Sequence, residues 1–389
     1  MSMRNIPYGR QQISREDIEA IESVLKSDFL TQGPVGKVFE DKIGTYVGAN
    51  HVVAVNSATS ALHLACKALD IGYGDTVWTS PITFVASANC ALYCNANVGF
   101  VDIDARTGLM SVRDLKDKLT AAEKKGRLPK ALIVVHLAGN SCDMRAIYSL
   151  TQRYGVKVIE DASHALGASY QGKKVGCCEF SEICIFSFHP VKMITTGEGG
   201  AATTNDVRLA QKMRSLRSHG ITKDPGMFEE KDPASWHYEQ QDLGFNYRMP
   251  DINAALGISQ IARLDQNIRR RREIDERYRS GLKNKPIRML GITDFCDSSV
   301  HLCIVSLENA NKEIHRAKFE QMRQSGIGVQ LHYRPVHLNP YFRRLGFKEG
   351  MYPNAEKYAE TCFSLPVFPG LTNDEIEYVL SVLLLQPVI

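Results

Sequence analysis

The chain has ten cysteines but no Cys-x-x-Cys pair and no spacing that would hold a zinc ion. That excludes a zinc ribbon or a dithiol redox motif and predicts reduced, mostly buried thiols in a cytoplasmic protein. Long apolar runs are missing too. The longest near the C-terminus, Val379 to Leu385, is interrupted by Ser381 and falls far short of the roughly 20 residues of a membrane span. The opening residues, Met1-Ser2-Met3-Arg4-Asn5, lead into polar sequence rather than an apolar leader, so no secretory signal is expected. Charge of one sign is scarce: 47 Lys and Arg against 43 Asp and Glu leave +4. That is too little to argue for nucleic acid or a membrane surface as partner. No internal repeat or low-complexity segment is visible. What remains, 44% hydrophobic and 23% charged residues over 389 positions, describes an ordinary globular chain with a large core. Its length predicts about two domains.

Strand and helix patterns alternate along the first half. Short apolar runs at 51–55, 76–79, 98–101, 131–136, 157–160, 183–188 and 201–204 read as strands. Helical patterns at 57–69, 84–93, 111–125 and 145–154 lie between them. Several strands are continuously apolar, which indicates burial on both faces. The expected architecture is therefore α/β, a mostly parallel sheet covered by helices, with ligands beyond the carboxyl ends of the strands. Before it, Ser14-Arg15-Glu16-Asp17 starts a capped helix that ends near a Gly33-Pro34 turn. After it, residues 223–241 read as an exposed polar loop. One long charged helix is expected from Asp251 to about Leu282, then strands near 300–307 and 329–331 with a helix between, and a last helix capped by Thr372-Asn373-Asp374-Glu375. The division predicted is 1–250, a large cofactor-binding domain, and 251–389, a smaller α+β domain. The basic run Arg269 to Arg272, followed by Glu273, Asp275 and Glu276, reads as a solvated or inter-subunit helix face with i,i+3 and i,i+4 pairs.

The most informative stretch is Ser187-Phe188-His189-Pro190-Val191-Lys192-Met193-Ile194-Thr195-Thr196-Gly197-Glu198-Gly199-Gly200. A lysine in a bend after an apolar strand can be desolvated, lose its proton and attack carbonyls. Asp161 ends another apolar strand 31 residues earlier. A lysine able to form a Schiff base and an aspartate for a pyridinium nitrogen are what pyridoxal 5′-phosphate (PLP) needs. Asn56-Ser57-Ala58-Thr59-Ser60 opens a helix after a buried strand, where free N–H groups and hydroxyls attract an anion; an ordinary N-cap has the same appearance. Phe84 stands at the mouth of the next loop, either to stack on a flat ring or as a core residue. His164, in Asp161-Ala162-Ser163-His164, suits either a place beside such a ring or a structural hydrogen bond. Gly244-Phe245-Asn246-Tyr247-Arg248 and Gln330-Leu331-His332-Tyr333-Arg334-Pro335 are polar segments that fit a structural role or a ligand.

Together, NSATSAL, PxTFVAxxN, EDASHALG, SFHPVK-x-ITTGEGG, GFNYRM and HYRPVH, in this order, resemble the sugar aminotransferases of the DegT/DnrJ/EryC1/StrS family. These are PLP enzymes of the aspartate aminotransferase fold (fold type I), and the likeness covers almost the whole chain. HPVK-x-ITTGEGG and DFLTQG are most similar to the branch that aminates UDP-4-keto-6-deoxy-N-acetyl-β-L-altrosamine with L-glutamate in pseudaminic acid biosynthesis. Relatives that use dTDP- or GDP-linked keto sugars, and a non-catalytic PLP-binding regulator, are the alternatives. The resemblance implies that Lys192 holds the cofactor covalently and moves a proton, that Asp161 pairs with the pyridine nitrogen and that Phe84 stacks on the ring. It also implies that Ser57, Ala58, Thr59 and Ser187 hold the phosphate, with His164 near the ring. Asn246 would reach the cofactor phosphate of a second subunit, making a homodimer. Tyr8, Asp28, Phe29, Leu30, Thr31, Gln330, Leu331, His332 and Tyr333 would line the nucleotide-sugar site. Met193 departs from the proline frequent in relatives. A subset of the family that performs dehydration replaces the lysine with histidine, and Lys192 argues against that chemistry.

Overall fold

The structure, a computed structural model, describes residues 5–386. Seven strands form the central sheet: β1 (His51–Val55), β2 (Thr76–Thr79), β3 (Asn97–Phe100), β4 (Ala131–Val135), β5 (Lys157–Asp161), β6 (Ile183–Ser187) and β7 (Gly200–Thr204). Their order is β1-β7-β6-β5-β4-β2-β3, and only β7 runs against its neighbours. Side chains alternate across the pleat. Leu132 and Val134 of β4 join Leu115, Leu119 and Ile147 on one face, whereas Ala131 and Ile133 join Leu62, Leu64 and Cys90 on the other. Each such side chain taken out of water contributes about 1.5–3 kcal/mol, and continuously apolar strands are what a two-sided core requires. Helices cover both faces: α1 (Arg15–Leu25), α2 (Pro34–Val47), α3 (Ala58–Ala68), α4 (Ala86–Tyr93), α5 (Val112–Lys124), α6 (Met144–Arg153) and α7 (Val207–Arg217). A three-stranded antiparallel sheet of β8 (Ile287–Met289), β9 (Cys303–Leu307) and β10 (Cys362–Leu365) lies further along the chain. Its core includes Ile6, which pairs with Ile327 and ties the first described residues to the C-terminal half. All ten cysteines are free thiols, eight of them buried. Among the described residues no helix is long and apolar enough to cross a membrane.

Four sequence expectations differ from the structure. The Gly33-Pro34 turn is the start of α2, with Gly33 at its N-cap and Pro34 in the first turn, where its missing N–H costs nothing. The single helix expected from Asp251 is two, α8 (Asp251–Ile261) and α9 (Leu264–Gly281). The first is apolar and sinks against α1 and α2; the second is highly charged with one core-facing stripe. The turn at Ala262-Arg263 lets each bury its own face. The strand expected at 329–331 is reduced to one bridge, Gln330 to Ser364, because the segment leaves the small sheet on its way to Pro335. Finally, the basic run is not solvated throughout. Arg270 pairs with Glu273 at the surface, but Arg271 is 2% exposed and forms no ion pair among the described residues. It shares the buried stripe of Ile268, Asp275 and Tyr278, at helical spacing, and donates to the carbonyls of Val300, His301 and Val367.

The turn between α8 and α9 converges on one carboxylate. Asp17 is fully buried, and its Oδ2 accepts from Ser14 N–H (2.9 Å), Gln260 Nε2 (2.7 Å) and Arg263 Nη2 (2.7 Å). Removing it leaves buried donors unpaired. Asp17→Ala is therefore expected to destabilise the fold by about 2–4 kcal/mol, read as a lower midpoint in thermal unfolding. An unchanged midpoint would show that this junction does not hold the helices.

Candidate active site

The strand polarity decides where a ligand can sit. β1, β4, β5 and β6 all end on one edge of the sheet, and β7 begins there. Gly200 opposes Val55 on one side and Ser187 on the other. A Cβ at Gly200 would lie 2.5 Å from the backbone nitrogen of Ala58, so only glycine permits the start of α3 to come this close. Ser57 caps that helix, accepting from Ser60 N–H at 3.1 Å. Ser57 is thus an N-cap, and the loop borders a cavity of about 780 Å³. Ser57, Ala58, Thr59 and Ser187 line that cavity.

Asp161 projects into the same cavity from the end of β5. Oδ1 accepts from the amide and hydroxyl of Ser163 at 3.1 and 2.5 Å, and Oδ2 accepts from Ser87 Oγ at 2.5 Å. These three donors fix the carboxylate's orientation. Lys192 comes from the connection between β6 and β7. Buried Phe188, Met193 and Ile194 anchor this loop in the core, and Lys192 N–H donates to His189 O at 2.9 Å. Met193 thus has a packing role beside the lysine. Lys192 itself is half-buried, and loss of hydration pulls its ammonium pKa down to about 8, against the opposing attraction of Asp161. An amine with that pKa is unprotonated to about a tenth at pH 7, against well under a thousandth for an ordinary lysine, and the unprotonated form is the carbonyl nucleophile.

Aromatic and imidazole groups form the remaining wall. Phe84 is 59% exposed and lines the cavity, so it is not a core residue. Its ring lies 6.3 Å from that of Tyr333. His164 is buried and hydrogen-bonded to Tyr333. Gln330, Leu331, His332 and Tyr333 all line the cavity, as does Tyr8, whose ring is 5.3 Å from His332. Tyr8 gets there because its carbonyl accepts from Val367 N–H and Ile6 pairs with the 326–328 turn.

The structure does not bring residues 28–31 to this cavity, and it leaves Asn246, expected at a second subunit's cofactor, at the surface. Asp28, Phe29, Leu30 and Thr31 are exposed, with the Leu30 carbonyl accepting from Asp251 N–H at the start of α8. Asn246 also has an exposed side chain; its carbonyl accepts from Asn56 Nδ2 at 3.4 Å. Conversely, Asn56, Glu198, His189 and His301 line the cavity, and Ser87 and Ser163 hold Asp161, all without having been singled out. Ser163 was findable, since Asp-x-Ser at a strand end is a local turn pattern. His301 had no local signal.

A family model described as the DegT/DnrJ/EryC1/StrS aminotransferase family matches residues 11–384. The chain belongs to this family. The UDP-4-amino-4,6-dideoxy-N-acetyl-β-L-altrosamine transaminase of Campylobacter jejuni (serotype O:23/36) is 38% identical over 96% of this chain and 95% of its own. The spore coat polysaccharide biosynthesis protein SpsC of Bacillus subtilis is 36% identical over 97% and 95%. Among solved structures, Helicobacter pylori PseC, an aminotransferase involved in the biosynthesis of pseudoaminic acid, superposes with a TM-score of 0.89 at 30% identity over 98% of both chains. The PLP form of Spr1654 of Streptococcus pneumoniae, a candidate sugar aminotransferase, gives the same TM-score, identity and coverage. The DegT/DnrJ/EryC1/StrS chain described here is accordingly a PLP-dependent sugar aminotransferase, on the fold of that class. Its cavity fits the cofactor chemically. The helix start with its glycine-only approach suits a phosphate, the triply held carboxylate suits a ring nitrogen, and the low-pKa amine suits an aldehyde.

The opposing influences on Lys192 give a signed prediction. Reductive methylation of the cofactor-free protein, read at Lys192 by mass spectrometry, should rise with pH around a midpoint near 8. Asp161→Asn removes the group that favours the ammonium, so the midpoint should move down. A midpoint at the ordinary lysine value, or an upward move, would refute the assigned environment.

Proposed function

We propose that the protein transfers the amino group of L-glutamate to C4 of UDP-4-keto-6-deoxy-N-acetyl-β-L-altrosamine, in the cytoplasm, as a step of pseudaminic acid biosynthesis. The observation that carries this reading is the 38% identity, over nearly the whole of both chains, with the Campylobacter altrosamine transaminase. The transaminase of the same name from Campylobacter jejuni serotype O:2 is 37% identical.

In this reading Lys192 anchors PLP and its Nζ removes and returns the proton exchanged at the sugar C4 carbon. PLP supplies an aldehyde that carries the amine and a ring that accepts electrons when the adjacent C–H bond breaks. Asp161 holds the ring nitrogen protonated by charge pairing. The start of α3, with Ser57, Ala58, Thr59 and Ser187, binds the phosphate; Phe84 covers one ring face and His164 lies beside the ring. Tyr8 and residues 330–333 bind the sugar nucleotide. The 1–250 and 251–389 division separates the cofactor-binding part from the part that supplies residues 330–333. The active unit is a homodimer: Asn246, whose backbone carbonyl meets Asn56, has an exposed side chain, and the exposed apolar pair Phe29 and Leu30 is available to cover a second copy's site.

The test is a panel of UDP-, dTDP- and GDP-linked 4-keto-6-deoxy sugars with L-glutamate. Turnover should be at least about tenfold more efficient, roughly 1.4 kcal/mol in transition-state binding, with the UDP-altrosamine ketone. Lys192→Ala should abolish turnover while leaving the oligomeric state intact. Preference for a dTDP- or GDP-linked sugar would replace the substrate assignment. Persistent turnover by Lys192→Ala would remove the role given to the lysine.

A further inference from the structure

We infer that Tyr333 is a one-way hydroxyl donor into the cavity, oriented by a relay that starts at the Ala138 amide and passes through His164. It rests on reading the cavity as the PLP and sugar site. The direction of the relay follows from donor bookkeeping. Ala138 N–H points at His164 Nδ1 at 3.2 Å. A backbone amide can only donate, so Nδ1 must be the acceptor and the ring proton sits on Nε2. Nε2 lies 3.0 Å from Tyr333 Oη, so Nε2–H donates and the tyrosine oxygen accepts. The tyrosine's own proton finds no acceptor among the described residues and faces the cavity that Tyr333 lines. An imidazolium at His164 would set two donors against each other at Nδ1.

The fold holds this arrangement against strain. Ala138 has φ +61°, and Val300, a β-branched residue, has φ +53°; both are costly for residues with a Cβ. The two turns brace each other. His301 N–H donates to Ala138 O at 2.9 Å, Ser298 Oγ to Gly139 O at 2.9 Å, and Ser299 Oγ to His164 O at 3.0 Å. Buried Arg271 caps the Val300 and His301 carbonyls from behind. The His301 ring packs on His164 with centroids 4.4 Å apart, closing the side from which water could reach the imidazole. Burial, and then the positive charge of Lys192, keeps His164 well below its ordinary pKa, and burial raises that of Tyr333, so both keep the assigned proton.

A donor held this way recognises an acceptor oxygen: a cofactor phenolate, or a carbonyl or hydroxyl oxygen of the sugar. It rejects an N–H group at the same place. Tyr333 is a binding residue in this role, and His164, Ala138 and His301 are positioning residues.

The tautomer is tested first, by nitrogen NMR of the ¹⁵N-histidine-labelled full-length protein without sugar, with His164 assigned by its loss in His164→Gln. Expected is the neutral Nε2–H form between about pH 6 and 8, unchanged in Tyr333→Phe because the Ala138 amide dictates it. Ligand recognition is tested with Tyr333→Phe in two arms: the Kd for PLP added to the cofactor-free protein, and KM and kcat for the best sugar of the panel. A loss of about tenfold in one arm, with unaltered circular dichroism, identifies the oxygen contacted. A proton on Nδ1, an imidazolium, or both arms unchanged would overturn the inference. The tautomer and the PLP arm stand even if the assigned sugar proves wrong, so the two failures are separable.

Discussion

The polarity of the strands is the constraint from which the site follows. Six parallel strands, β1 to β6, deliver their carboxyl ends to one edge, and the reversed β7 starts there. A chain leaving such an edge has unpaired backbone groups and polar side chains to satisfy, while the strands behind it are sealed on both faces. The edge is therefore the one place where a carboxylate, an amine and a helix start can converge beside a dry core. Partial dehydration is what turns Lys192 from a surface cation into a reactive amine, and that dehydration comes from the packing of Phe188, Met193 and Ile194 below it.

The parts of the site legible in the sequence are those written within a few residues of a strand end. Asp161 follows the apolar Val158-Ile159, Lys192 follows Ile183 to Phe186, and Ser57 follows Val52 to Val55. Each needs only the rule that ligands bind beyond strand ends, and the structure lines one cavity with all three. The parts that were not legible depend on contacts between distant segments. Arg271 reads as one member of a basic run, and only the docking of 298–301 and 366–367 on its helix makes it a buried donor. His301 and Ser87 have neutral local surroundings, and their importance appears only when Ala138 and Asp161 are set beside them. The helix break at Ala262 and Arg263 has no glycine or proline to announce it; tertiary partners at Asp17 impose it.

Positively charged and neutral nitrogen share the site under unusual terms. Lys192, His164, His301 and His332 lie within one cavity, and the acidic groups lining it are Asp161 and Glu198. His164, His301 and His332 are kept neutral by burial, whereas the amine of Lys192 changes charge near physiological pH. Those three histidines then serve as shaped walls of the cavity.

The reversed strand β7 also sets the order in which the site can assemble. The connection that carries Lys192 is a hairpin between adjacent antiparallel strands, closed by Phe188 and Gly199. Its ends are near neighbours in sequence, so closing it has a small entropic cost. His301 and Tyr333 arrive from more than a hundred residues further along. A chain emerging from its N-terminus presents the helix start, the carboxylate and the amine before His301 and Tyr333. His301 and residues 330–333 follow, so most of the wall assigned to the sugar is synthesised after the residues assigned to the cofactor.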